Sequence, residues 1–199
     1  MFRGISVFAE RPKINNLSTM WLFVVKSGKV FLFLNLKNTK AKMLNLIGVH
    51  ECKMDAKGRV ALPAALKKQL LPLLEDGFIL KRSVFQKCLE LYPMQEWNKE
   101  MARVNQLNRF VKKNNDFIRL FTAGVKMLEI DNNARLGVPR DLKAFAQLQS
   151  EVVLSASVGR IEMWDKALYE QTLTDTGENF GELAEQVMGS INEQGNELS

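Results

Sequence analysis

The sequence is poor in the residues on which metal centres and catalytic triads depend. It has two cysteines, Cys52 and Cys88, and a single histidine, His50. The cysteines form no CxxC pair, so the sequence predicts neither a zinc site nor a disulfide framework. No Ser/His/Asp or Cys/His set can be built around His50 without assuming a fold, and no glycine-rich phosphate loop is present. We therefore expect no enzyme activity, no metal, no cofactor and no small-molecule substrate.

A long uninterrupted apolar run is also missing. Residues 21–36 are largely apolar, but Lys-Ser-Gly-Lys at 26–29 divides them. Neither half reaches the roughly 18 residues of a membrane span, and no small-residue cleavage motif of a signal peptide follows. We expect no membrane partner and interpret residues 1–43 as an N-terminal extension. Because Met43 directly precedes a recognisable pattern, we expect it to be the biological start; the alternative is a disordered or strand-like extension.

The net charge of +6 is distributed unevenly along the chain. Residues 1–43 carry +7, residues 44–169 carry +6, and residues 170–199 carry −7 with no basic residue. The central segment is therefore basic in its own right, which permits a polyanionic partner without identifying one. We assign residues 174–199 to an acidic C-terminal tail, with one short amphipathic helix before a disordered end.

An internal repeat organises the middle of the chain. Residues 54–63 read MDAKGRVALP, and residues 130–139, 76 positions later, read IDNNARLGVP. Two apolar segments that follow the first copy also have counterparts after the second. We therefore assign residues 44–93 to a first module, 94–119 to a helical connector and 120–173 to a second module.

The connector has apolar residues at approximate helical spacing with basic residues among them. Two interpretations stay open, namely a packed helix with a solvated basic face and a helix that faces phosphates.

Each module has the local chemistry of a tight hairpin. Asp55 at the first and Gly58 at the fourth position suit a type I turn, because Asp accepts backbone N–H bonds and Gly permits a positive φ. Asp131 takes the position of Asp55 in the second copy. Period-two alternation follows the turn, and Pro63 fits the first position of a helix. The module therefore reads strand–turn–strand–helix–strand–strand.

The second copy departs from the first at the turn. Ala134 stands where the first copy has glycine, and Glu129 stands where it has Lys53. If Ala134 must adopt a positive φ, the cost is roughly 1–2 kcal/mol. A shifted turn with Asn133 in that conformation would avoid the cost.

The pattern Asp-x-x-Gly-Arg-Val-x-Leu-Pro, followed by a helix, resembles AbrB-like swapped-hairpin DNA-binding modules, and two copies about 75 residues apart resemble the MraZ family. The likeness covers about 44–173. It implies a β-rich α+β fold of two pseudo-repeated swapped-hairpin modules, similar to a double-split β-barrel, with flanking helices. It further implies a cytoplasmic, nucleoid-associated transcriptional regulator. Such a protein would form ring-like homo-oligomers and bind repeats in double-stranded DNA upstream of the division and cell-wall gene cluster.

The resemblance places the DNA against the Asp-x-x-Gly-Arg turns. Arg59 offers a planar fork that can bind a phosphate or a guanine edge. Lys57 and Lys53 would act as point charges on the DNA backbone. Arg135 is the counterpart of Arg59 in less basic surroundings. The alternative for Arg59 is a structural salt bridge to an acid such as Asp55, and the two roles can coexist.

A protein-interaction role is the alternative function. Antitoxins of the MazE type resemble this hairpin module and use an acidic tail to cover a toxin, which residues 170–199 would suit. Those antitoxins resemble one module, whereas this chain has two.

Overall fold

The computed structural model describes residues 7–8, 19–26, 29–37, 45–177 and 179–196, with side chains for 45–177 and 179–189. The chain divides into two units, Met1–Met43 and Leu44–Ser199. In the first unit, an antiparallel sheet has the order β1–β2–β3, formed by β1 (Val7–Phe8), β2 (Thr19–Lys26) and β3 (Lys29–Lys37). That Met43 begins the native protein stays a prediction.

The second unit has the element order that the repeat predicts. The first copy comprises β4 (Val49–Lys53), β5 (Arg59–Ala61), α1 (Ala64–Leu70), a short 3₁₀ turn (Leu71–Leu73), β6 (Phe78–Arg82) and β7 (Leu89–Pro93). Two helices follow, α2 (Met94–Val104) and α3 (Lys112–Thr122). The second copy comprises β8 (Lys126–Leu128), β9 (Arg135–Gly137), α4 (Arg140–Phe145), β10 (Glu151–Ser157) and β11 (Arg160–Asp165). The chain continues with α5 (Lys166–Gly177) and α6 (Phe180–Asn196). The α+β, strand-rich fold class is thereby confirmed.

The two copies exchange strands. An antiparallel sheet of six strands has the order β4–β10–β11–β7–β6–β8, and β5 pairs with β9 in a separate ribbon. The first strand of each copy therefore pairs with the third strand of the other copy, β4 with β10 and β8 with β6. Neither copy completes its own sheet, because its first strand belongs to the other half.

Strand register shows that a local twofold axis relates the copies. Val60 lies opposite Leu136, its equivalent in the repeat, where β5 pairs with β9. Glu90 lies opposite Glu162, again its equivalent, where β7 pairs with β11. Because equivalent residues face each other at both places, the axis passes through the ribbon and the centre of the sheet.

Among the described residues, the larger of two hydrophobic clusters is shared by both copies. Its fully buried members come from each half, among them Val60, Leu66, Phe78, Leu80, Leu136, Leu142, Leu154 and Ile161. The predicted boundaries 44–93 and 120–173 therefore mark sequence repeats that share their packing, since neither half buries its apolar face alone.

Two helical regions differ from expectation. The connector assigned to 94–119 forms two helices, and α3 extends to Thr122. The tail contains α6, which runs to Asn196 and is therefore longer than the short helix that the apolar spacing predicts. Within the described ranges, no helix has the length and apolarity needed to cross a membrane.

Candidate nucleic-acid interface

The first turn is organised by the carboxylate of Asp55. The Gly58 N–H donates to the Asp55 carbonyl at 2.9 Å, and the Asp55 N–H donates to the Arg59 carbonyl at 2.9 Å. Oδ1 of Asp55 accepts the N–H groups of Lys57 and Arg59, both at 2.9 Å. One short side chain therefore satisfies the donors of the turn, which is why an aspartate at this position favours the hairpin.

The Arg59 guanidinium is held on one edge and open on another. Oδ2 of Asp55 accepts a hydrogen bond from Nε at 2.8 Å and forms an ion pair with Nη2 at 2.7 Å. Since guanidinium has five N–H donors, the Nη1/Nη2 edge keeps donors for a further acceptor. Nη1 has no hydrogen-bond partner among the described residues, and the side chain is 31% exposed. The structural salt bridge is thus present, and it fixes the orientation of the guanidinium group.

The contacts of the turn change the pKa of Asp55. The Arg59 side-chain hydrogen bond, together with the N–H groups of Arg59 and Lys57, lowers the pKa of Asp55 to about 2. The carboxylate therefore stays ionised at any physiological pH, and it keeps Arg59 in place.

The second turn repeats this geometry. Oδ1 of Asp131 accepts the N–H groups of Asn133 at 2.9 Å and Arg135 at 2.8 Å, and Oδ2 accepts Nε of Arg135 at 3.0 Å. These bonds lower the pKa of Asp131, the Arg135 N–H contributing most. Ala134 takes φ +57°, close to the +78° of Gly58, so the shifted turn through Asn133 is not adopted. Ala134 therefore carries the left-handed strain that the sequence raised as one possibility.

Pairing of β5 with β9 fixes the two turns relative to each other. The Val138 N–H donates to the Gly58 carbonyl at 2.9 Å, and the Leu62 N–H donates to the Ala134 carbonyl at 2.9 Å. In this antiparallel ribbon each strand begins at its own turn, so the two turns lie at opposite ends. One chain therefore presents two Asp/Arg tips about a local twofold axis.

The two predicted lysines have different surroundings. Lys57 lies exposed in the first turn beside Arg59. Lys53 ends β4 opposite Glu151 and lines a depression that also contains Glu51 and Lys166, which are ion-paired at 2.8 Å. Lys53 thus has acidic neighbours, and the structure does not unite it with Arg59 in a purely basic surface.

Further basic residues follow the second turn on α4. Arg140 begins this helix, and Arg140 and Lys143 line a shallow depression with Gln147 and Gln149. Neither Arg140 nor Lys143 belongs to the Asp-x-x-Gly-Arg pattern from which the DNA contacts were predicted. The dipeptide Pro139-Arg140 after β9 is only a weak indication of a DNA contact, because the first copy has Pro63-Ala64 at the equivalent place.

Interlocked repeats with paired Asp/Arg turns define a tandem swapped-hairpin protein. The sequence model of the MraZ protein family matches residues 46–120 and 121–189. The description of this family also calls it antitoxin-like. The chain belongs to the MraZ family, which confirms the resemblance.

Several relatives have the name Transcriptional regulator MraZ. The match with this chain covers nearly the whole length of each of them. The protein of Christiangramia forsetii is 62% identical over 148 residues, 74% of this chain and 96% of that protein. That of Flavobacterium psychrophilum is 56% identical over 151 residues, 76% of this chain and 96% of that protein. That of Pediococcus pentosaceus is 33% identical over 142 residues, 71% of this chain and 96% of that protein. These names describe transcriptional regulators, a class that in general does not comprise enzymes.

Proposed function

We propose that this chain regulates transcription by binding double-stranded DNA through its Asp/Arg turns. The observation that carries the proposal is the Arg59 guanidinium, which Asp55 orients while leaving a donor edge open at an exposed turn. A planar fork held in this way suits the O6/N7 edge of guanine or a phosphate. The names of the relatives support the same class of function.

Different residues of the turns have different roles in this proposal. Arg59 reads a base or grips a phosphate, and Lys57 contacts the backbone without reading sequence. Arg135 makes the equivalent but weaker contact, because its turn has Asn133 in place of Lys57. Lys53 contributes less, since it lies beside Glu51 and Glu151.

The proposal extends to target, assembly and location. We place the protein in the cytoplasm with the nucleoid, on repeated sequences upstream of the division and cell-wall genes. We also propose a ring-like homo-oligomer, because several turns on neighbouring repeats would gain avidity without new contacts in each chain.

The test compares single alanine variants on DNA from immediately upstream of the protein's own gene. Arg59→Ala should cost roughly 1–3 kcal/mol of binding free energy per contacting turn. Lys57→Ala should weaken binding to all sequences alike and flatten its salt dependence, whereas Arg135→Ala should have the smaller effect. A shuffled duplex of equal composition tests specificity.

Circular dichroism and light scattering of each variant control for folding and assembly. Full promoter affinity in a correctly folded Arg59→Ala protein would refute the assignment of Arg59 to DNA.

Toxin neutralisation is the second candidate function. The exposed apolar and acidic side chains of α6 and the antitoxin-like description of the family favour it. A toxin reading frame beside the gene, with growth arrest relieved by this chain and by Arg59→Ala equally, would favour this candidate over DNA binding.

A further inference from the structure

An apolar groove lies between α3 and the loop that joins β6 to β7. It has a volume of about 480 Å³ and is lined by Val84, Phe85, Phe117, Leu120, Phe121 and Phe145. Phe85 is 90% exposed and Leu120 is 77% exposed. Side chains of this size normally contribute to a buried interface, so the groove has the character of a docking surface.

The floor of the groove is ordered by ring contacts. Phe117 and Phe121 stack at 5.5 Å, and Phe121 stacks on Trp97 of α2 at 5.9 Å. The rim is cationic, because Arg82 and Lys87 lie over the Phe145 ring at 5.0 and 4.8 Å. A rigid apolar floor with a basic rim favours an amphipathic helix of negative charge.

Helix α6 has these properties. Phe180, Leu183 and Ala184 share one of its faces at helical spacing, and Phe180 and Leu183 are exposed. Glu182 and Glu185 lie on the other face, and residues 170–199 carry −7 with no basic residue. When the apolar face is docked, these acids stay in water and act on the basic rim at longer range.

The composition of α6 also indicates that it needs a surface to pack against. Gly181 lies in the first turn of the helix, and Gly189 lies in its interior, where glycine costs roughly 1 kcal/mol of helix stability relative to alanine. A helix of 17 residues with such interruptions is marginal by itself in water, so packing of its apolar face must supply the difference.

We propose that α6 of one copy docks in this groove of a second copy. The chain leaves a groove and a matching helix face exposed together, and contact between two different surfaces adds copies head to tail, which gives a ring where the rotation between copies closes. This inference rests on the self-assembly within the proposed function, and it names the surfaces that produce it.

Site-directed cross-linking tests the contact. One preparation carries Leu120→Cys and another Leu183→Cys, both with Cys52→Ser, and the mixture is oxidised with copper phenanthroline. The expected product is a disulfide-linked species of twice the 22.7 kDa chain. The matched control pairs Leu183→Cys with Val158→Cys, since Val158 is as exposed as Leu120 at 77% but does not line the groove, and it should give no such species.

Light scattering gives an independent measure. Leu183→Asp should raise the concentration at which the assembly dissociates by about tenfold or more, equivalent to about 1.4 kcal/mol or more per contact. Val158→Asp should leave that concentration unchanged. Circular dichroism verifies that both variants fold.

The possible results separate this inference from the proposal on which it rests. Cross-linking within one chain only, seen in the Leu120→Cys/Leu183→Cys double variant, would overturn docking between copies. An intact oligomer without the cross-link would overturn it too, while leaving self-assembly standing. A monomer at all concentrations would instead refute the proposed assembly itself.

Discussion

Ala134 and Gly58 occupy the same corner of the two turns, with positive φ values of +57° and +78°. Alanine in this region costs roughly 1–2 kcal/mol, whereas glycine adopts it freely but loses more entropy on folding. We therefore predict that Ala134→Gly stabilises the fold by up to about 1 kcal/mol. Urea denaturation measures the change.

Gly58→Ala provides the reciprocal control for this prediction. A Cβ on Gly58 would meet only the Val138 carbonyl oxygen at 3.5 Å, an ordinary contact, so any loss must come from backbone conformation. The loss should be roughly 1–2 kcal/mol. If both substitutions destabilise equally, positive φ at Ala134 is not a source of strain.

A second residue prediction concerns the protonation of Asp55, whose pKa is lowered to about 2 by the Arg59 bond and backbone donors. Because folding favours the ionised form, the turn keeps its full contribution above the ordinary pKa of about 3.9 and loses it as pH falls through about 2. Carbon NMR of the carboxyl group should show this low value, rising towards normal in Arg59→Ala. Asp131 is the internal control, because its bonds to Arg135 are unaffected. An ordinary Asp55 pKa in the unchanged chain would contradict the bonding described.

Among the elements, β6 and β7 carry an ion pair inside the sheet. Nζ of Lys81 lies 2.8 Å from Oε2 of Glu90, and Lys81 is only 1% exposed. The Tyr92 hydroxyl donates to the same oxygen at 3.0 Å. Burial by itself raises the pKa of Glu90, but Lys81 and the charge of Arg160 lower it overall, so the carboxyl is ionised.

Breaking this pair from one side should be costly. Lys81→Met leaves the buried Glu90 carboxylate with only the more distant Arg160, whose Nε lies 3.9 Å from Oε1, and we predict that this destabilises the fold by roughly 3 kcal/mol. Adding Glu90→Gln removes the buried carboxylate charge and should restore part of the loss. Urea midpoints of the unchanged chain, the single variant and the double variant measure the coupling between the two residues. If all three proteins unfold at the same midpoint, the ion pair does not contribute to the stability of the fold.

Local features of these elements were predictable, and non-local ones were not. The turn at Asp55 follows from residues within four positions, because its bonds close within that span. The break between α2 and α3 also has a local cause, since Oδ1 of Asn108 accepts the Phe110 N–H at 2.9 Å in place of a helical bond. The approximate helical spacing of apolar residues continues across 94–119, so this spacing does not predict the break between the two helices. Burial of Lys81 depends on strands and helices far away in sequence, so alternation within β6 could not reveal it.

At the scale of the molecule, the exchange of strands was expected from the family resemblance alone, because the residue pattern of a single strand does not determine its partner. β4 has the same alternation whether it pairs with the third strand of its own copy or of the other, so the partner is chosen by the packing of the whole core. This exchange pairs the first strand of each copy within one chain and leaves β4 and β8 as the edges of the six-stranded sheet.

The local twofold axis leads to a prediction about the first copy in isolation. A fragment of residues 44–111 contains β4 to α2 but lacks the strands that pair with β4, β5 and β7. A second copy of the fragment can supply them, because Val60 would face Val60 where it now faces Leu136. We therefore expect the fragment to fold as a dimer, with a melting temperature that rises with concentration. Light scattering and thermal unfolding at several concentrations test this, and residues 112–199 serve as the matched fragment from the other half. A folded monomer of either fragment would show that each copy has a sufficient core of its own, contrary to the shared packing described here.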